Sequence, residues 1–328
     1  MNTRRTLLTL ALAVASLGQA FPALAQGADK YPSRSIRVVV PLTAGSSTDI
    51  VARMFSDRLG QRLHQSVVID NRPGAGGTIA AQFVAKAAPD GYTLLLVNSQ
   101  HTINPTAYEK LPFDTVRDFE GIALVCDSPA VITVPIDLGP RTLQELIALA
   151  KRRPSQLAYA SSGVGSQTHL SAASFATRAD ISMLHVPYKS TTDVMTDLVT
   201  GRIQVVVAPV AFQLAHIQAG KLRVLGVTGK ERLSILPDVP TVSEAAVPGF
   251  EFATWFGFIA PAKVPAQIKT LLARELKAVD EEPEIRKKLG EQGMTARSLT
   301  LGEFDAYIAS DIQQLAPVVR ASGVKEKI

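Results

Sequence analysis

The 328-residue chain contains a single cysteine, few aromatic residues and no long apolar run beyond its first 25 positions. One cysteine cannot form an internal disulfide, and Cys126 lies in the apolar run IALVC, so we interpret it as a buried structural thiol. No later segment approaches the ~18 consecutive apolar residues of a transmembrane helix. The Lys and Arg residues are scattered among acids, which argues against a nucleic-acid surface or a polybasic membrane patch.

Motifs for catalysis, metal binding and nucleotide binding are also missing. The chain has no G-x-S-x-G elbow and no H-E-x-x-H, and its histidines at 64, 101, 169, 185 and 216 lack metal-ligand spacing. We therefore predict no catalytic residue, no metal site and no cofactor. An exported α/β enzyme with a triad assembled across the fold remains an alternative.

The first 25 residues have the pattern of a cleavable export signal. Arg4 and Arg5 precede an apolar stretch from Leu7 to Leu17, and small residues at Ala23 and Ala25 precede Gln26. We predict cleavage after Ala25 and a periplasmic mature protein. The adjacent arginines leave both the Sec and the twin-arginine export routes open.

Strand-like apolar runs alternate with helical patterns through most of the chain. The runs lie at 35–41, 66–70, 93–98, 130–134, 157–160, 181–187, 203–208 and 222–228. Near-continuous apolar strands separated by helices are typical of parallel sheets covered by helices, so we predict an α/β fold. The stretch from Pro265 to Ala321 is predicted to be mostly helical.

The predicted domain organisation follows from length and from two unusual segments. About 300 mature residues exceed what one hydrophobic core usually holds, so two domains are expected. The apolar segments 120–135 and 249–262 lack a clear helix partner, and we interpret them as strands crossing between two lobes. The predicted boundaries are 26–125 with 251–328 for a discontinuous first lobe, and 126–250 for an inserted second lobe.

Two loops rich in Gly, Ser and Thr each join an apolar strand to a helix. In PLTAGSSTD (41–49), Ser47 or Thr48 is predicted to cap the following helix. Unpaired N–H groups and the helix dipole make such a terminus attractive to an anion. Asp49 has two interpretations that the sequence leaves open: a first-turn acid that complements the dipole, or a cleft residue that selects the ligand.

The second loop, SSGVGSQTH (161–169), has the same composition. It lacks the third glycine of a dinucleotide fingerprint and the Lys of a P-loop. His169 is interpreted as a structural residue hydrogen-bonded to a neighbouring loop, with direct ligand contact as the alternative. The glycine-rich segment 71–77 is interpreted as a tight strand-to-helix turn in which Arg72 forms a structural ion pair.

Seven ordered motifs resemble a known family over essentially the whole mature chain. They are PLTAGSSTDIVAR, DNRPGAGG, PDGYTLLL, YASSGVGSQTHL, LHVPYKSTTDVMTDLVTGRI, LPDVPTVSEA and WFGFIAPAKVPAQI. Together they are similar to the extracytoplasmic solute receptors of tripartite tricarboxylate transporters, also called the Bug family. The resemblance implies a two-lobed type II periplasmic-binding-protein fold with a hinge.

The resemblance also implies a carboxylate ligand held mainly by backbone amides and water. The implied site comprises Leu42, Thr43, Ala44, Gly45, Ser47, Thr48 and Asp49, then Ser162, Gly163, Gly165, Ser166, Gln167, Thr168 and His169, and finally Tyr188 and Lys189. The chain departs from the family pattern at Leu42, Ser46, Val164 and Ser190. Leu42 and Val164 favour a ligand with an apolar middle, so aliphatic and aromatic dicarboxylates both remain candidate ligands.

The implied partner is a membrane permease of the same transporter type, and the receptor is expected to be a monomer. A second reading is a periplasmic sensor that presents its closed form to a signalling protein. That reading predicts the same fold, and neighbouring genes for a permease or for a sensor kinase would discriminate between the two.

Overall fold

Residues 31–188 and 191–322 are described by the computed structural model, so the predicted signal peptide and Lys189 lie outside the described residues. The chain separates into the units Met1–Ser33 and Arg34–Ile328, and every element below belongs to the second. The strands are β1 (Ile36–Val40), β2 (Val67–Asn71), β3 (Thr93–Asn98), β4 (Phe119–Pro135), β5 (Ala158–Ser161), β6 (Leu184–Pro187), β7 (Val205–Pro209), β8 (Leu222–Val227), β9 (Ala253–Pro261) and β10 (Thr295–Thr300). The α-helices are α1 (Ser47–Leu63), α2 (Thr78–Ala85), α3 (Gln100–Ala107), α4 (Leu143–Arg152), α5 (Gln167–Arg178), α6 (Thr191–Val199), α7 (Leu214–Gln218), α8 (Val242–Ala245), α9 (Ala266–Asp280), α10 (Pro283–Glu291) and α11 (Gly302–Ala321).

The sheet is mixed and contains two sets of parallel strands, which confirms the predicted α/β class. One set is β2–β1–β3 and the other is β6–β5–β7. We call the half with β1 the first lobe and the half with β5 the second lobe. Parallel strands end at the same edge of their sheet, and ligands of open α/β sheets bind outside these carboxyl ends. The loops after β1 and β5 therefore occupy the expected binding edge of each lobe.

Strand β4 crosses from one lobe to the other. Its first part pairs antiparallel with β9 as far as Pro129, and from Ala130 onward it pairs with β7 and β8. Nearly every β4 residue is buried, as expected for a strand covered on both faces. The prediction of a crossing strand at 120–135 is confirmed, and the partner change at Pro129 and Ala130 marks the junction between the lobes.

Three elements differ from the sequence-based expectations. Strand β9 begins at Ala253, later than the predicted start of the second crossing segment, and β6 is shorter than the predicted run 181–187. Strand β10 interrupts the C-terminal stretch that we predicted to be mostly helical. Its sequence TARSLT has little apolar periodicity, and pairing with β4 supplies the missing signal.

The C-terminal helix α11 packs against both lobes. Near its start, the side chain of Phe304 lies edge-on to Trp255 in the core of the first lobe. Near its end, Val319 belongs to a buried cluster with Phe175 of the second lobe and Ile103 of the first. The junction between the lobes is therefore spanned by α11 as well as by the crossing segments.

Candidate functional site

The loop after β1 ends at a well-defined helix N-terminus. Ser46, rather than the predicted Ser47 or Thr48, caps α1, and its side chain accepts a hydrogen bond from the Asp49 amide at 3.2 Å. The prediction was wrong by one or two residues because several hydroxyls in GSSTD suit a cap equally well and only backbone geometry selects one. With the Asp49 amide bonded to the cap, the first-turn amides of Ser47 and Thr48 have no intrahelical acceptor.

Asp49 points into the protein and braces this loop. One carboxylate oxygen accepts from the Gly45 amide and from Arg53 Nε, both at 2.9 Å. The other accepts from Arg53 at 3.1 Å and from Asn71 Nδ2 at 2.9 Å. Asn71 also donates to the carbonyl of Leu42. The side chain is 3% exposed, so this geometry favours a structural role over direct selection of the ligand.

Replacing Asp49 by Asn should lower the free energy of unfolding by about 2 kcal/mol at pH 7. Burial alone would raise the pKa of Asp49, but hydrogen bonds from Arg53, Gly45 and Asn71 outweigh it and hold the pKa at about 2. A carboxyl group with a depressed pKa stabilises the fold above its unfolded value, and here the contribution disappears as the pH falls from about 4 through 2. Chemical denaturation at several pH values measures this.

The exposed Asp57 of the same helix offers a matched control. Asp57→Asn should change stability by less than about 0.5 kcal/mol. A preference for amino acids over plain dicarboxylates that disappears in the Asp49→Asn variant would contradict the structural role of Asp49.

The second loop repeats the geometry of the first. Ser166 caps α5 and accepts from the His169 amide at 3.3 Å, and the Gly165 amide donates to His169 Nδ1 at 3.0 Å. The sequence GSSTD of the first loop thus corresponds to GSQTH of the second, with Asp49 and His169 as equivalent braces. Gly45 and Gly165 both adopt left-handed backbone conformations, with φ of +82° and +77°. The amides of Gln167 and Thr168, like those of Ser47 and Thr48, have no intrahelical acceptor.

His169 lies in a stack of three aromatic rings beneath this loop. Its ring lies 3.9 Å from that of His185, which in turn lies 4.9 Å from Tyr159. His185 Nε2 hydrogen-bonds with the Ser161 hydroxyl at 2.7 Å. Burial, with a smaller effect of His185, lowers the pKa of His169 to about 4. The interpretation of His169 as a structural residue bonded to a loop agrees with this geometry.

Other predicted site residues of the second lobe hold the loop as well. The Ser162 amide donates to Thr168 Oγ1 at 2.9 Å, and the Ser166 hydroxyl donates to the Gly163 carbonyl at 2.7 Å. Val164, between the two glycines, is 52% exposed. Tyr188 donates from its hydroxyl to Asp197 at 2.6 Å, and burial together with Asp197 raises its pKa to about 12.

The end of β3 connects the two loops. Asn98 Nδ2 donates to Thr48 Oγ1 at 3.1 Å, and the next residue, Ser99, donates from its hydroxyl to Gln167 Oε1 at 3.1 Å. The bond between Ser99 and Gln167 joins the two lobes. Sequence reasoning missed Asn98 and Ser99, although a polar Asn-Ser pair directly after the apolar run TLLLV was an available signal. The two helix starts therefore lie near each other through Asn98 and Ser99. Thr43, Ala44 and Gly45 are exposed.

The remaining candidate features have structural roles. Arg72 donates to Asp70 at 2.9 Å and lies 3.6 Å above the ring of Phe83, in agreement with a structural ion pair. Cys126 is fully buried, and burial raises the pKa of its thiol.

Within residues 31–188 and 191–322, no three His, Cys, Asp or Glu side chains are grouped to hold a metal ion. None of the helices in the described part of the chain is both long and apolar enough to cross a membrane.

Comparison with known proteins gives consistent matches. The model of the tripartite tricarboxylate transporter family receptors matches residues 51–324. The protein BugT of Bordetella pertussis is 34% identical over 329 residues, covering 100% of both chains. The structure of Rhodopseudomonas palustris Rpa4515 with adipate is 32% identical, covers 91% of this chain and 100% of that one, and has a TM-score of 0.75. MatC from Rhodopseudomonas palustris with bound malate is 28% identical, covers 88% and 100% of the respective chains, and has a TM-score of 0.69.

Proposed function

The chain belongs to the tripartite tricarboxylate transporter family of receptors, and from this premise we propose that it captures a small dicarboxylate between its lobes and delivers it to a permease of that transporter type. Receptors of this family are periplasmic solute-binding proteins and not enzymes. We propose that cleavage after Ala25 releases the mature receptor. N-terminal sequencing of the exported protein tests that position.

The observation that supports the proposal is the pair of equivalent helix starts, one from each lobe, which lie near each other through Asn98 and Ser99. In the proposed complex the amides of Ser47 and Thr48 bind the ligand from the first lobe, and those of Gln167 and Thr168 bind it from the second. Two positive helix ends suit a molecule with a carboxylate at each end. The proposed site keeps the loop residues predicted from the sequence, adds Asn98 and Ser99, and gives Asp49 and His169 the role of braces.

The number of donors is adequate for a useful affinity. A hydrogen bond to a charged group contributes about 1.5–3 kcal/mol, and micromolar binding requires about −8 kcal/mol. Two carboxylates with two or three donors each reach that value after the cost of ordering. A monocarboxylate would engage one helix start and needs further contacts.

A dicarboxylate with an apolar middle is the proposed ligand class. Leu42 and the exposed Val164 provide apolar surface beside the loops. The related Rpa4515 structure contains adipate, which has such a middle, and the MatC structure contains malate, which carries a hydroxyl. The four methylene groups of adipate would gain up to about 0.8 kcal/mol each on full burial.

At equal concentrations, adipate should stabilise the purified mature protein more than hexanoate, which has the same number of carbon atoms but only one carboxylate. At about 100 times its dissociation constant, a ligand adds about 2.7 kcal/mol to the free energy of unfolding, which a thermal-shift series detects. Mass analysis after incubation should recover adipate unchanged. Equal stabilisation by hexanoate and adipate would contradict a site with two carboxylate positions, and a chemically altered ligand would contradict the receptor role.

A further inference from the structure

Two short segments form the junction between the lobes. In β4 the partner change falls between Pro129 and Ala130. The second segment, Glu251 and Phe252, immediately precedes β9, whose first residue pairs with Pro129. Any movement of one lobe relative to the other has to change backbone angles in or beside these segments.

On the side of the second lobe, Thr228 ties the two segments together. It is fully buried, and its hydroxyl accepts from the Ala130 amide at 2.9 Å and donates to the Phe252 carbonyl at 2.6 Å. The Phe252 amide donates in turn to the Thr228 carbonyl at 2.9 Å. The segments are therefore held to each other at the edge of the second lobe.

On the side of the first lobe, Arg297 of β10 makes a connection that corresponds to that of Thr228. Its guanidinium donates to Asp127 of β4 at 2.9 Å and lies 3.6 Å from the carboxylate of Glu251 in the other segment. The guanidinium carbon lies 4.6 Å from the centre of the Tyr307 ring on α11. A planar cation that stacks on an aromatic ring and contacts two carboxylates is held in a defined orientation. One side chain of the first lobe thus contacts β4 two residues before the partner change and also contacts Glu251 of the second segment.

We propose that Arg297 is a positioning residue for ligand capture: by holding Asp127 and Glu251 together, it makes the two segments turn as one unit when the lobes close. The pivot then lies between Arg297 and Thr228. This inference rests on the proposed function, because it assigns Arg297 an effect on affinity without any contact to the ligand.

A continuous set of contacts links Arg297 to the cleft. Its stacking partner Tyr307 lies edge-on to Trp255, with ring centres 5.9 Å apart. Trp255 Nε1 and Thr102 Oγ1 both donate to Asp311 of α11, at 2.8 and 2.6 Å. Thr102 is the third residue after Ser99, whose hydroxyl bonds to Gln167 across the cleft.

A cavity of about 260 Å³ lies along this route. Arg297, Asp311, Ser99 and Gln167 are among the residues that line it. Glu251 and Phe252 also line it, so the second segment has open space on one side.

Affinity for adipate and the radius of gyration test the proposal in the Arg297→Gln variant. We expect adipate to bind about tenfold more weakly or worse, because a smaller fraction of molecules reaches the closed arrangement. In small-angle scattering the ligand-free variant should have a larger radius of gyration than the wild type, since its lobes are less constrained. Arg232→Gln removes an exposed ion pair with Glu244 inside the second lobe and should change neither quantity.

A purely structural Arg297 would lower the melting temperature while leaving the adipate affinity within twofold and the radius of gyration unchanged, and that result would overturn the proposal. If Arg297→Gln does not fold, Glu251→Gln removes one contact of a half-exposed side chain and should weaken adipate binding by about threefold. Unchanged affinity in that variant would likewise overturn it. If the wild type itself binds no adipate, the ligand assignment fails, and scattering from the ligand-free variants decides the role of Arg297.

Discussion

Replacing Gly165 by valine should weaken adipate binding by about tenfold or more while the protein still folds. Gly165 has a φ of +77°, and its buried amide donates to His169 Nδ1. A β-branched residue adopts this conformation only with strain of about 1–2 kcal/mol, so the loop would move away from the geometry that presents the amides of Gln167 and Thr168. Calorimetric titration with adipate measures the effect.

Gly201 provides a matched control for the strain itself. It also lies in the second lobe, has a φ of +75°, and has open space around it, so Gly201→Val introduces the same backbone conflict away from the cleft. Both variants should lose stability, but only Gly165→Val should lose affinity. Equal affinities in the two variants would show that the second loop is not part of the binding site.

The sequence was sufficient to predict the main architecture. Buried strands such as IRVVV and TLLLVN are apolar almost throughout, and the helices that follow repeat apolar residues at helical spacing, so the α/β class followed from local patterns. The crossing strand β4 was also predictable, because a long apolar run without a helix partner is unusual. Strand β10 was not, since its half-buried residues acquire their conformation from pairing with β4.

The predicted site located the loops but not the direction of their polar groups. The composition of GSSTD identified a helix start, yet it could not show that the carboxylate of Asp49 turns inward to Gly45, Arg53 and Asn71. That orientation depends on Asn71, which is 22 positions away at the end of β2. Ser99 and Gln167 likewise meet only because the two lobes face each other. Such long-range contacts leave no periodic signal in the sequence.

Replacing His169 by Asn should change how stability depends on pH. The pKa of His169 is lowered to about 4 in the folded protein, chiefly by burial, so its contribution is complete above the unfolded value of about 6.5 and is lost as the pH falls through 4. The wild type should therefore lose about 3 kcal/mol relative to His169→Asn between pH 7 and pH 4. Apart from His185, which contacts His169, the other titrating groups occur in the same surroundings in both proteins and cancel in the difference.

A second variant, His169→Ala, separates the effect of the hydrogen bond between the Gly165 amide and His169 from the effect of the titration of the His169 ring. The side-chain oxygen of Asn can accept the Gly165 amide as Nδ1 does, so His169→Asn should keep adipate affinity within about threefold at pH 7. His169→Ala leaves that buried amide without an acceptor, at a cost of about 1–3 kcal/mol, and should weaken binding by about tenfold. Identical adipate affinities of the His169→Ala and His169→Asn variants would contradict the role of His169 in holding the second loop.

The most direct test of the proposed capture between the lobes is a crystal structure of the mature protein with adipate at a resolution that reveals ordered water. One carboxylate should lie within hydrogen-bond distance, directly or through one water, of the Ser47 and Thr48 amides. The other should lie in the same relation to the amides of Gln167 and Thr168. Adipate bound away from the loops after β1 and β5, or held by one lobe alone, would contradict the account.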